Sequence, residues 1–342
     1  MSIVTPGVEF GLEHHGAPRW QIALRDVIRD PAQLLELLEL PSNLLPAARR
    51  AAESFPLRVP RAFANRMRRS DPHDPLLLQV LPIDAELQSH PEFTSDPVGD
   101  LAACRAPGLL HKYRGRVLLV TSGACAIHCR YCFRREFPYQ DAPHHNDAWE
   151  PALQQIAADD SIEEVLLSGG DPLTLTDARL ASLTARLADN PHVQRLRIHT
   201  RLPVVIPERV DDALLSWLTG TRLQPIVVLH ANHARELDQS VARAVERLHA
   251  SRVLLLNQAV LLRGVNDTLA DQLELCRRLI ELRVIPYYLH QLDRVSGAAH
   301  FEVPESEGLR LMQSLREQLP GYAVPQYVRE VAGAPYKVPL AT

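Results

Sequence analysis

The segment Cys125-Ala126-Ile127-His128-Cys129-Arg130-Tyr131-Cys132 gathers three of the chain's five cysteines into eight residues. Thiolates are soft metal ligands. A tight cysteine cluster in a chain too large to need a disulfide framework reads first as a metal site. Three thiolates at this spacing can cap three irons of a four-iron cluster from one loop. The fourth iron then stays open to a substrate or cofactor, which a four-cysteine electron carrier does not allow. A zinc site completed by His128 is the competing assignment. Zinc motifs, however, more often use paired cysteines with a second pair far downstream, and this sequence has no second cysteine pair. The cluster is therefore favoured. Cys104 and Cys276 stand alone. Cys276 falls at helical spacing with Leu273 and Ile280, as a core residue does, and Cys104 is given the same structural role.

Other polar residues fall at regular places. Short apolar runs at 117–121, 164–168, 196–200, 226–230, 253–258 and 286–291 are bounded by loop residues, as buried parallel strands should be. Between them lie amphipathic helical segments such as 234–249 and 268–282. The cysteines follow the first run. Ser168-Gly169-Gly170-Asp171 closes the second, Thr200 and Arg201 the third, His230 the fourth and Gln258 the fifth. Gln291 and Asp293 follow the sixth. Active sites of α/β barrels are built at this end of the strands.

The repeats predict an α/β fold with right-handed crossovers. A full eight-fold barrel takes about 250 residues, so residues 111–342 predict an open, partial TIM-like barrel of about six β/α units. An extended stretch at 324–329 is expected to flank the sixth strand. Residues 1–110 read as a mostly helical N-terminal extension that packs on a core rather than an independent catalytic domain, with helices at 31–40 and 45–54 and irregular segments at 55–61 and 90–99. Hydrophobic residues at 46% and charged residues at 23% suit a globular enzyme, and the net charge of −4 points to no nucleic acid. Met1–Trp20 lacks the pattern of a signal peptide, no stretch is long and apolar enough to span a bilayer, and the expected compartment is the cytoplasm.

With these elements in place, the chain resembles the radical S-adenosylmethionine superfamily. Cys-x3-Cys-x-aromatic-Cys follows the first strand, with Tyr131 at the aromatic position. The resemblance implies that the amino and carboxylate groups of S-adenosylmethionine chelate the open iron. Reduction of the [4Fe-4S] cluster then gives a 5′-deoxyadenosyl radical. Ser168, Gly169, Gly170 and Asp171 resemble the glycine-rich motif that meets the cofactor's amino group. The likeness narrows to the lysine 2,3-aminomutase family. It is carried by Asp96-Pro97-Val98-Gly99, Pro107-Gly108-Leu109, His111-Lys112-Tyr113, residues 129–135 and 165–171, Thr200-Arg201-Leu202-Pro203-Val204-Val205, residues 258–267 and Pro286-Tyr287-Tyr288.

Members of that family move an amino group between adjacent carbons of lysine and use pyridoxal phosphate as a second cofactor. The resemblance assigns Lys337 to pyridoxal, although Gly333-Ala334-Pro335-Tyr336 before it replaces a run richer in glycine. It assigns Lys112, Tyr113 and Arg116 to the phosphate and ring, with Lys112 standing where an arginine is expected. His230 and Gln258 are placed between the two cofactors. Arg134 matches the clamp on the substrate carboxylate. Asp293 and Glu330 match the acids that bind the ε-ammonium, Glu330 standing where an aspartate is more usual. Taken singly, each has an ordinary alternative: a solvated basic face, a loop acid or a structural histidine.

The chain stops five residues after Lys337. This short form resembles the bacterial aminomutase that makes (R)-β-lysine for elongation factor P. The implied partners are free lysine, a reductant protein for the cluster and, functionally, a separate ligase acting on that factor. No nucleic acid or membrane is expected, and a homo-oligomer is left open. The alternatives are an aminomutase for another amino acid and a non-enzymatic iron–sulfur carrier or sensor. Acids at 293 and 330 argue against glutamate as substrate.

Overall fold

The computed structural model describes residues 17–139 and 149–340, so most of the Met1–Trp20 segment lies outside the described residues. No helix among the described residues is long and apolar enough to cross a membrane. Two short strands, β1 (Val27–Ile28) and β2 (Val59–Pro60), pair antiparallel in the N-terminal region. The remaining strands form one sheet: β3 (Cys104–Ala106), β4 (Leu109–Tyr113), β5 (Arg116–Ser122), β6 (Glu164–Gly169), β7 (Arg195–Thr200), β8 (Gln224–Leu229), β9 (Leu254–Val260), β10 (Ile285–His290), β11 (Gln326–Arg329) and β12 (Val338–Pro339).

Spatial order follows chain order. Neighbours from β5 to β11 pair parallel, whereas β3–β4, β4–β5 and β11–β12 pair antiparallel. The edge strands β3 and β12 do not meet, so the barrel is open, as expected. The stretch expected beside the sixth parallel strand is β11, in register with β10 at Tyr288 and Gln326.

The crossovers are helices, and local sequence sets their ends. Gln239–Ala250 starts where the Asp238 carboxylate accepts from the amides of Ser240 and Val241, and it buries Val241, Ala244, Val245 and Leu248. Residues 234–236, expected within that helix, form a separate 3-10 turn. Leu269–Glu281 is capped by Thr268 and buries Cys276, as expected. Cys104 differs from expectation: β3 is an edge strand, and the thiol is exposed.

The expectation of continuous apolar strands fails in an informative way. In β7, Leu196 and Ile198 are fully buried in the main core, while Arg197 and His199 between them line a cavity inside the barrel. Gln258 of β9 and Tyr288 and His290 of β10 face the same cavity. A barrel filled only by its own side chains has no need of such residues; one that encloses polar ligands does.

The N-terminal region is built into this core. Trp20, Leu34 and Phe63 belong to the same apolar cluster as Leu196 and Leu214. The Arg209 guanidinium lies 4.4 Å from the centroid of the Trp20 ring. The sheet itself begins at Cys104, ahead of the boundary expected at residue 110.

Candidate active site

The cavity at the C-terminal ends of the strands measures ≈ 350 Å³, and every residue singled out from the sequence as a site residue lines it. The loop after β5 carries Cys125, Cys129 and Cys132, and the amide of Cys132 donates to the carbonyl of Cys129 at 3.0 Å. Burial pushes the Cys132 thiol up to about 11, helped by Cys129, and likewise raises Cys125 well above the usual thiol range. His128 does not close a zinc site. Its Nδ1 is 2.8 Å from the Pro56 carbonyl and its ring stacks on Phe55. Among the described residues no three His, Cys, Asp or Glu side chains converge on a single ion. A four-iron cluster is wider than one ion, and each of its thiolates caps a different iron.

The glycine turn after β6 is fitted against that loop. The amide of Gly170 donates to Ser122 O at 2.7 Å and that of Asp171 to Ala124 O at 2.8 Å. A Cβ at Gly170 would meet Ala124 O at 2.5 Å, and one at Gly169, where φ is +121°, would meet Ser122 O at 2.6 Å. Only glycine allows this approach. The Asp171 carboxylate is turned into the chain. It accepts from the Thr200 hydroxyl and from the amides of Leu173, Arg201 and Leu202. It therefore braces the turn against the end of β7.

Tyr131 sits in a buried polar network. Its hydroxyl accepts from Arg201 Nη1 at 2.9 Å and from Asn232 Nδ2 at 2.6 Å. Arg201 Nη1 also reaches Cys129 Sγ at 2.7 Å, and its Nη2 donates to Glu236 at 2.9 Å and Gln79 at 2.6 Å. Gln291, also noted at a strand end, is turned away and donates to the Val303 carbonyl at 2.8 Å.

A lattice of charges occupies the other side. Arg134 Nε donates to Asp100 Oδ2 at 2.7 Å and its Nη1 to Ser168 Oγ at 3.1 Å. Lys112 Nζ lies 2.6 Å from Asp100 Oδ1 and 3.4 Å from Glu330 Oε1. Glu330 also accepts from the Tyr113 hydroxyl at 2.6 Å and from Lys337 Nζ at 2.6 Å. Burial works to raise the Glu330 carboxyl, but the Lys337 ammonium and these hydrogen bonds outweigh it and hold it low. The Asp293 carbonyl accepts from the Val295 amide at 2.7 Å, but its carboxyl has no hydrogen-bond partner among the described residues, and burial pushes that carboxyl up to about 7. Arg116 stacks over the Tyr113 ring at 4.6 Å and has no carboxylate partner among the described residues. It is thus the available cation of the basic group, whereas Lys112 is neutralised.

Two histidines and one acid escaped the sequence reading. His199 and His290 line the cavity with His230; their Nε2 atoms are buried without partners, as is Gln258 Oε1. Burial holds all three imidazoles neutral, His230 at about 3. Their signal was a period of two inside apolar strands. Asp100 gave no signal, because its partner Arg134 is distant in sequence.

Residues 114–196, from β5 through the cysteine loop and the glycine turn into β7, match the family model of a 4Fe-4S single cluster domain. The Streptococcus suis SuiB crystal structure is similar over 64% of this chain and 50% of that chain, with 14% identity and a TM-score of 0.47. The L-lysine 2,3-aminomutase of Haemophilus influenzae is 46% identical over 93% of this chain and 94% of its own. That of Escherichia coli is 45% identical over 94% of both chains. The chain is of the radical S-adenosylmethionine class. Within that class the chain belongs to the L-lysine 2,3-aminomutase family and is an isomerase.

The residues present fit the cofactors of that family. Three cavity-lining thiols on one loop suit a cluster with an open iron. The glycine cradle and the orphaned Gln258 and histidine nitrogens suit a polar ligand beside it. Arg116 suits a phosphate, and Lys337 can offer an amine at the same end of the cavity.

Proposed function

We propose that this enzyme converts L-lysine to (R)-β-lysine in the cytoplasm, and that a separate ligase transfers the product to elongation factor P. The observation that carries the lysine assignment is the half-buried, unpartnered Asp293 carboxyl in the same cavity as Lys337 and the cysteine loop. An acid kept out of water without a cation is an unmet demand for one. Lysine brings that cation on its ε-carbon. Glu330, which already accepts an ammonium from Lys337 at 2.6 Å, is the second acid of this subsite.

At the opposite end Arg134 binds the substrate carboxylate, its fork steadied through Nε by Asp100. Arg116 binds the phosphate and Lys337 holds pyridoxal. Ser168, Gly169 and Gly170 shape the S-adenosylmethionine subsite, while Asp171 and Tyr131 brace it. His230 and Gln258 line the space between. When bound, the cluster with S-adenosylmethionine supplies one-electron chemistry at carbon, and pyridoxal phosphate carries the migrating amine. A reductant protein supplies the electron. Near-full-length similarity to named lysine aminomutases supports this reading over an aminomutase for glutamate or arginine and over a non-catalytic iron–sulfur carrier.

The test is anaerobic reconstitution with iron, sulfide, pyridoxal phosphate and S-adenosylmethionine. Incubation with L-lysine is followed by chiral chromatography. The expected product is (R)-β-lysine; fully loaded protein that forms no β-lysine overturns the assignment, and an S product overturns its stereochemical part. Deleting the gene should remove the β-lysyl mass from elongation factor P, and an unchanged factor would break that link.

A further inference from the structure

Asp100 is 2% exposed and stands between two cations. One oxygen lies 2.7 Å from Arg134 Nε and the other 2.6 Å from Lys112 Nζ. Its loop is built to aim it. The Asp96 carboxylate accepts from the amides of Asp100 at 2.8 Å and Leu101 at 3.0 Å. Gly99 has φ +66°, and a Cβ there would meet the Cβ of Ala332, in the segment leading to Lys337, at 3.0 Å. Lys112 in turn reaches Glu330 at 3.4 Å, so the chain Arg134–Asp100–Lys112–Glu330 joins the residue proposed for the substrate carboxylate to one proposed for its ammonium.

We propose that Asp100 is a positioning residue. By fixing Nε of Arg134, whose Nη1 also donates to Ser168 Oγ at 3.1 Å, it aims the remaining N–H groups of the guanidinium at the substrate carboxylate, and it keeps Lys112 away from the pyridoxal phosphate group. Lys112 Nζ also donates to the Val98 carbonyl at 2.8 Å, which leaves it little freedom to turn toward a phosphate. The phosphate is then read by Arg116 without it. Planar guanidinium recognition depends on which edge is free, so the partner on Nε decides the geometry offered to a ligand.

This inference rests on Arg134 as the carboxylate clamp, and the experiment separates the two ideas. Equilibrium binding to cofactor-loaded protein is measured for L-lysine and for 1,5-diaminopentane, which has both amines and no carboxylate. Asp100→Asn puts an amide donor against one of the two cations. It should weaken lysine binding by roughly tenfold or more and leave diamine binding within about twofold. Asp100→Ala, which leaves room for water, is measured beside it, and the lysine-to-diamine ratio is read on whichever variant retains full iron and pyridoxal content. Arg134→Met should lose the same preference for lysine. If Arg134→Met loses it and both Asp100 variants keep it, Asp100 does not position the clamp. If Arg134→Met keeps it, the clamp assignment falls and the proposal with it. Equal weakening of both ligands by the Asp100 variants marks a general structural role and also overturns the proposal.

Discussion

Asp293, proposed to bind the substrate ammonium, has a carboxyl with no hydrogen-bond partner among the described residues. Its carboxyl, raised to about 7 by burial, binds a proton in the folded chain at pH values where the unfolded chain has released it. Stability therefore declines as pH rises from about 4 to about 7, and the full penalty stands above that. Asp293→Asn should raise the melting temperature of the ligand-free protein at pH 8 and leave it unchanged near pH 4, as a calorimetric scan reports. The same variant should lower kcat/KM for lysine by roughly 30-fold or more, because the ε-ammonium loses a desolvated partner. In the wild type, lysine affinity should weaken as pH falls below about 7, since protonated Asp293 attracts no cation; an affinity flat from pH 6 to 8 would contradict the role given to it. For the cluster, alanine at Cys125, Cys129 or Cys132 should abolish bound iron, whereas alanine at Cys104 or Cys276 should retain it. Lys337→Ala should keep the iron and lose the pyridoxyl label trapped by borohydride. The cysteines and the glycine turn were legible because each is a contiguous motif. Asp100, His199 and His290 were not, because their meaning depends on pairing across strands and loops.

Among the elements, the cysteine loop is held from outside the barrel by a residue of the N-terminal region. Glu86, whose side chain is fully buried, accepts from Arg130 Nε at 2.8 Å and Nη2 at 2.5 Å, and it pairs with Arg135 at 3.2 Å. Arg130 lies between two of the cysteines, so the acid fixes the loop that carries them. Breaking a buried ion pair by removing one partner costs about 3–5 kcal/mol, because a charge is left uncompensated. Glu86→Gln should lower the unfolding free energy by an amount of that order in denaturant titration. It should also reduce the iron retained after gel filtration, although Glu86 touches no cofactor subsite. The parallel strands were placed from sequence to within two residues, since each apolar run ends in a recognisable loop. Their alternation was not, because arginine and histidine inside a run look like interruptions until the barrel gives them an interior to face.

For the molecule as a whole, the N-terminal region and the barrel share one core. Arg66 joins them further, donating to the Val204 carbonyl at 2.6 Å and the Glu236 carbonyl at 3.0 Å and pairing with Asp238 at 2.9 Å. A chain that begins after Ser70 would lose Trp20, Leu34, Phe63 and this arginine together, exposing the apolar face they cover. Such a truncation should be insoluble or bind a hydrophobic dye strongly; a soluble, cluster-binding product would show that the barrel folds without the extension. Composition set the two regions apart and led to the expectation that the extension packs on a core, but it is blind to which side chains meet there.

The contact between Lys337 and Glu330 also favours a sequence of events. An acid already holding an internal ammonium is closed to an external one. In the role proposed for Lys337, pyridoxal would draw its nitrogen away and free that acid. Cofactor loaded first would then leave both acids of the subsite to the substrate. Protein without pyridoxal should bind lysine more weakly than the loaded form, and so sequester less of an amino acid it is not yet equipped to transform.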